Sequence, residues 1–191
     1  MQVVDSELIR EFVIAGHGNL AKVKEMLAQH PELLNEAYSW NETDHETAIM
    51  AAAQVGSVSV AEYLLAKGAP LSICTAAMLG RQGDVQRMLE NDPSSITDIG
   101  AHGIPLIAHA ALSGNLALLK MLVERKASEG SSFALHNAVS RGYDEMAGWI
   151  LDNAKPDVNW KNYQGKTALS VALERKDGAL AELLRRHGGT E

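Results

Sequence analysis

The sequence predicts an all-α fold, a solenoid of about six stacked helix-turn-helix units with finger loops between them. Three observations predict it. A small-residue pair followed by two residues and a glycine recurs six times, and its glycine slot holds Gly18, Gly56, Gly80, Gly114, Gly142 and Lys176. Composition alone would put about 0.5 glycines in six such slots. Aliphatic residues then follow at fixed distances, as in Ala61, Leu64 and Leu65 after Gly56 or Leu119, Leu122 and Val123 after Gly114. Finally, the slots lie 38, 24, 34, 28 and 34 residues apart, so each helix has room for only about ten residues. Helices that short do not persist alone in water, and stability has to come from stacking unit on unit.

Each unit has its own justification. The first, over 6–40, carries Ile14, Ala15, Gly16, His17 and Gly18 between two helices, with Glu11 where an aliphatic anchor belongs, as suits a terminal cap. Gly16-His17-Gly18 resembles a phosphate loop only superficially, since no strand precedes it. An enlarged loop spans 30–45. In the second unit, 46–68, Thr47 starts the helix and Ala52 fills the small slot. The 24-residue step leaves about nine residues too few for a finger, so 66–71 is expected to turn tightly, with Pro70 at the start of the next helix. The third unit, 70–92, places Ala76 in the small slot, while Gly83-Asp84 offers a competing helix start. A long connection, 91–103, leads to the fourth unit, 104–127, with Pro105 and Ala110. The fifth, 132–155, has Ala138, and the sixth, 166–188, has Ala172 and ends on Arg185, Arg186 and His187 facing water. Asn19, Ser57, Asn115 and Asp177 follow the slot and are expected to cap the second helices. The whole of 1–191 reads as one domain.

Composition narrows the function. A chain with 46% hydrophobic and 21% charged residues should fold, and a net charge of −7 argues against nucleic acid or an anionic membrane as the partner. No apolar run approaches a membrane span, and the N-terminus shows no signal-peptide pattern. The single cysteine, Cys74, reads as a buried reduced thiol, which fits a cytoplasmic home. No Walker loop, nucleophile elbow, zinc spacing or dinucleotide fingerprint is present, so an enzyme is not expected and no catalytic residue, cofactor or metal ligand is assigned. His45, His102, His109 and His136 match no metal motif by spacing.

The string Asp157-Val158-Asn159, a turn, then Gly165-Lys166-Thr167-Ala168-Leu169 resembles the finger and helix start of ankyrin repeats, with Ala168 in place of the usual proline. Thr47-Ala48-Ile49 and Pro105-Leu106-Ile107 occupy the same helix start, and His136 sits at the family's histidine, which bridges neighbouring units. The likeness runs from Ser6 to His187, and it implies a protein-binding module or scaffold. Fingers and first helices would form a concave surface, which here presents Trp40, Asn41, Asp44, Glu46, Gln54, His102, Ile104, Leu112, Arg141, Tyr163, Gln164, Lys166 and Arg175. Aromatics support that face: Tyr38, Trp40, Trp160 and Tyr163 fall in loops or fingers, with Trp40 and Tyr163 the expected anchors, whereas Trp149 and Tyr63 read as stacking core. The alternative is a small-ligand or metal-dependent activity in a pocket under the 35–46 loop, using Trp40, Asp44, His45 and His102.

Overall fold

The structure is a computed structural model and describes residues 4–127 and 129–191. It is 64% helical, and twelve α-helices lie among the described residues. They run as pairs: α1 (Ser6–Gly16) with α2 (Leu20–Gln29), α3 (Ala48–Val55) with α4 (Val58–Ala66), and α5 (Ile73–Met78) with α6 (Gln82–Asn91). Then come α7 (Leu106–Leu112) with α8 (Leu116–Glu124), α9 (Ser131–Arg141) with α10 (Asp144–Asn153), and α11 (Ala168–Glu174) with α12 (Gly178–Arg186).

The corners follow from backbone sterics. Gly56, Gly80, Gly114 and Gly142 close their first helices at φ of 69 to 73°, the left-handed region that a Cβ resists. Lys176 adopts the same conformation at φ 59° without being glycine. The first unit departs: its helix closes on His17, and it is Gly16 that must be small, because a Cβ there would come within 2.5 Å of the Ala48 carbonyl oxygen.

Short polar side chains begin the helices. The Thr47, Ser72 and Thr167 hydroxyls accept from the amides three residues on, and the side chains of Asn19, Asn115 and Asp177 do the same for second helices. Two expectations need correction. Ser57 stands at the cap of α4 but its hydroxyl makes no capping bond. Pro70 does not start α5, which begins at Ile73 because the Ser72 hydroxyl, 3.1 Å from the Thr75 amide, supplies the stronger cap.

The small slots let helices meet closely. Ala52, Ala76, Ala110, Ala138 and Ala172 are all completely buried, among leucines and isoleucines of the neighbouring helices. Tyr63 and Trp149 are half-buried, pack against the core from its edge, and lie under the Lys24, Lys67 and Lys120 ammonium groups. Arg185, Arg186 and His187 are exposed.

The connections determine where function can sit. The enlarged first loop begins with a 3-10 turn over Pro31–Asn35 and then forms an antiparallel hairpin of β1 (Ala37–Ser39) and β2 (His45–Thr47), pairing Tyr38 with Glu46. The 91–103 connection also folds back on itself, bridging Ile99 to Pro105. Between these two the third unit has no finger, and α5 has only six residues. As a result α7 reaches past it to α3, where His109 Nδ1 donates to the Ala53 carbonyl at 3.1 Å. For the same reason the β1–β2 hairpin lies directly against the loop that carries His102.

Candidate binding groove and hairpin cluster

An open groove of about 630 Å3 runs along the first helices and the last finger. Its floor is built on α9, where Phe133, Asn137 and Ser140 are spaced four and three residues apart and so share one helical face. Asn137 Nδ2 donates to the Ala108 carbonyl at 3.0 Å, fixing α9 against α7. The wall is the finger over 157–166. The Asn162 side chain accepts from the Gln164 and Lys166 amides, and the Asn162 amide donates to the Lys166 carbonyl at 3.0 Å, closing a turn that projects Tyr163. Tyr163 is 95% exposed. On the same finger Trp160 packs on Phe133 with ring centroids 5.2 Å apart and meets His136 edge-on. His136 Nε2 donates to the Lys166 carbonyl at 3.1 Å, which ties the finger to α9. Burial pushes the His136 imidazole towards its neutral form, and it does the same to His109.

At the other end of the groove lies the hairpin. Strand alternation points Glu46 inward and His45 outward, where His45 Nδ1 meets the Ser39 hydroxyl at 2.8 Å. Glu46 is completely buried; its Oε2 accepts from Trp40 Nε1 at 2.7 Å, and its Oε1 has no hydrogen-bond partner. His102, at φ 56°, directs Nδ1 to Asp44 Oδ2 at 2.5 Å and its own amide to Asp44 Oδ1 at 3.1 Å. Partial desolvation works against the charged form of Asp44, but the hydrogen bonds from the His102 ring and amide prevail and hold its carboxyl below the ordinary value. From the end of α1, His17 presents Nε2 to the same spot. Potential ligand atoms of His17, Glu46 and His102 all lie within 4.8 Å of one another.

Residues 106–191 match the family model described as ankyrin repeats in three copies, and residues 44–76 match the model of a single ankyrin repeat. The chain belongs to the ankyrin-repeat family. Ankyrin repeats are generally protein-protein interaction modules. No curated protein matches the chain by sequence. No helix among the described residues is long and apolar enough to cross a membrane.

The thirteen residues expected on the concave face separate into groups. Gln54, His102, Ile104, Tyr163, Gln164 and Lys166 line the groove, although Ile104 is only 7% exposed and contributes an edge of its side chain. Arg141 and Arg175 are exposed but donate to the Val55 and Ser140 carbonyls, capping first helices of other repeats. Leu112 is half-buried. Trp40, Asn41, Asp44 and Glu46 belong to the hairpin, and Glu46 corrects the expectation of a surface contact, because the fold-back of β2 removes it from solvent. Asn41 organises the turn, accepting from the Thr43 and Asp44 amides. Phe133, Asn137, Ser140, Val171 and Glu174 line the groove and were absent from that set. Cys74 is buried, and burial first, then the Asp98 charge, pushes its thiol up to about 12, so the thiol stays protonated and inert.

Proposed function

We propose that residues 1–191 act as one continuous ankyrin array that binds a protein segment in the groove between the first helices and the 157–166 finger. The observation that carries this reading is Tyr163, at 95% exposure on a finger whose other aromatic, Trp160, is packed onto Phe133. Folding gains nothing from a large apolar ring in water, whereas a partner that covers it gains a rigid anchor. The groove offers apolar surface from Phe133, Trp160 and Val171 beside the polar groups of Gln54, Asn137 and Asn162. It suits an extended peptide bearing an apolar side chain flanked by hydrogen-bonding groups. The acidic balance favours protein over nucleic acid, and the protonated buried thiol is compatible with a cytoplasmic setting.

The test begins with affinity capture and mass-spectrometric identification of the partner, followed by affinity measurements on variants. Tyr163→Ala should change stability by less than about 0.5 kcal/mol and weaken binding by roughly 2 kcal/mol, some thirtyfold. Arg185→Ala, on α12 away from the groove, should bind like the parent. Equal losses from the two variants would refute this placement of the site.

A further inference from the structure

We propose that His17, Glu46 and His102 form a binding site for a divalent transition-metal ion of the zinc class. The lone pairs decide it. His17 Nδ1 lies 3.2 Å from the Val13 carbonyl oxygen, which can only accept, so Nδ1 carries a proton and, in the neutral ring, Nε2 holds the lone pair. His102 Nδ1 faces the Asp44 carboxylate at 2.5 Å, so it too carries a proton, and in the neutral ring the lone pair is on Nε2. Both Nε2 atoms converge on the Glu46 carboxylate, which is completely buried and whose Oε1 has no donor. Gln54 Oε1, 3.0 Å from His17 Nε2, adds a further oxygen, which either a proton on that nitrogen or a shared cation would satisfy. A cluster of acceptors around a buried anion calls for a cation.

Neither imidazole is hydrogen-bonded to Glu46, and the spacing is that of ligands around a shared ion. His17 Nε2 is 3.6 Å from Glu46 Oε1 and His102 Nε2 is 3.5 Å from Glu46 Oε2, both too long for N–H···O bonds. Ligands on tetrahedral zinc, with bonds of about 2.0–2.1 Å, stand roughly 3.3–3.4 Å apart. The two imidazole side chains are 31% and 34% exposed, so ring rotation can draw ligand atoms that lie within 4.8 Å of one another onto one ion while Glu46 stays fixed by Trp40. The Asp44–His102 pair supplies the carboxylate–histidine support that metal-binding imidazoles generally have, and Val13 plays the matching part for His17.

The ligands come from the end of α1, from β2 and from the loop before α7, 29 and 56 residues apart, and no local spacing motif could register them. They meet because the third unit lacks a finger. An ion held by three protein ligands keeps a position for water or for a partner's side chain, and His102 places that position at one end of the groove.

The experiment uses the full chain, stripped with chelator and titrated with Co2+, read by its visible absorption, and with Zn2+ in competition; metal content of the purified protein is measured in parallel. One equivalent should bind, and Zn2+ at a hundredfold excess over its Kd should raise the Tm by roughly 5–10 °C. His17→Ala and His102→Ala should each weaken binding at least a hundredfold, and Asp44→Asn about ten- to a hundredfold. His45→Ala, on the same hairpin but turned outward, should bind like the parent. Circular dichroism of the two partly exposed histidine variants confirms that the fold persists. The proposal is overturned if the parent binds no stoichiometric Co2+ or Zn2+, if His17→Ala retains full affinity, or if His45→Ala loses as much as His102→Ala; a purely protonated cluster would give the first of these results.

Discussion

Lys176 closes α11 at φ 59° with its side chain in solvent, in the corner where four other units use glycine. A side chain in that conformation brings Cβ against the following carbonyl oxygen, at a cost of about 1–2 kcal/mol, part of which glycine returns through its greater freedom when unfolded. Lys176→Gly should therefore stabilise the chain by about 0.5–1 kcal/mol, read as a higher denaturation midpoint at an unchanged m-value; a lower midpoint would mean that the corner does not carry this strain. Trp40 illustrates the opposite case, a surface residue with a structural duty. Its indole N–H is the donor to buried Glu46 Oε2, so truncation would leave a buried carboxylate with neither oxygen satisfied. Any loss of partner binding in a Trp40 variant therefore mixes contact with folding, and Tyr163 is the cleaner probe.

At the scale of elements, the close packing of first helices depends on alanine. Ala110 of α7 is completely buried in a cluster with Ile73, Ala76 and Leu106, and α7 is packed against both α5 and α9. Ala110→Leu would force a four-carbon side chain into that contact and should lower stability by about 1–3 kcal/mol; a melting temperature that barely moves would show that the gap is larger than burial implies. This slot was legible in the sequence because it is local: the glycine corner, the small residue four positions before it and the aliphatic set after it all repeat along the chain. Features that depend on two distant segments were not legible. The β1–β2 hairpin is set by pairing across a five-residue loop, and that pairing, not local propensity, buries Glu46. Phe133, Asn137 and Ser140 did carry a signal, their spacing along one face of α9, although they lie inside the helix and not at its ends, where the family's variable positions are expected. The His17–Glu46–His102 group had none, since it exists only because the shortened third unit brings two loops together.

At the scale of the whole array, stability sums the interfaces between neighbouring units, and two of those interfaces contain a buried neutral histidine. His109 joins α7 to α3 through the Ala53 carbonyl, and His136 joins α9 to the last finger through Lys166. Burial lowers both from an ordinary value of 6.5. For a depressed base the unfolded chain binds the proton first, so the stabilisation is fully present above pH 6.5 and drains away as pH falls from there towards the folded values. The limiting slope is about 1.4 kcal/mol per pH unit for each histidine. Denaturation midpoints measured in chelator, so that no bound metal contributes, should therefore fall between pH 7 and pH 5.5, before the carboxylates titrate. The double variant His109→Asn, His136→Gln sorts this from other causes: Asn places an amide nitrogen near the former Nδ1 and Gln one near the former Nε2, keeping both donors without a titrating ring. It should lose distinctly less stability over the same interval than the parent. If parent and double variant decline in parallel, acid acts elsewhere and the two histidines are not what couples the interfaces to pH.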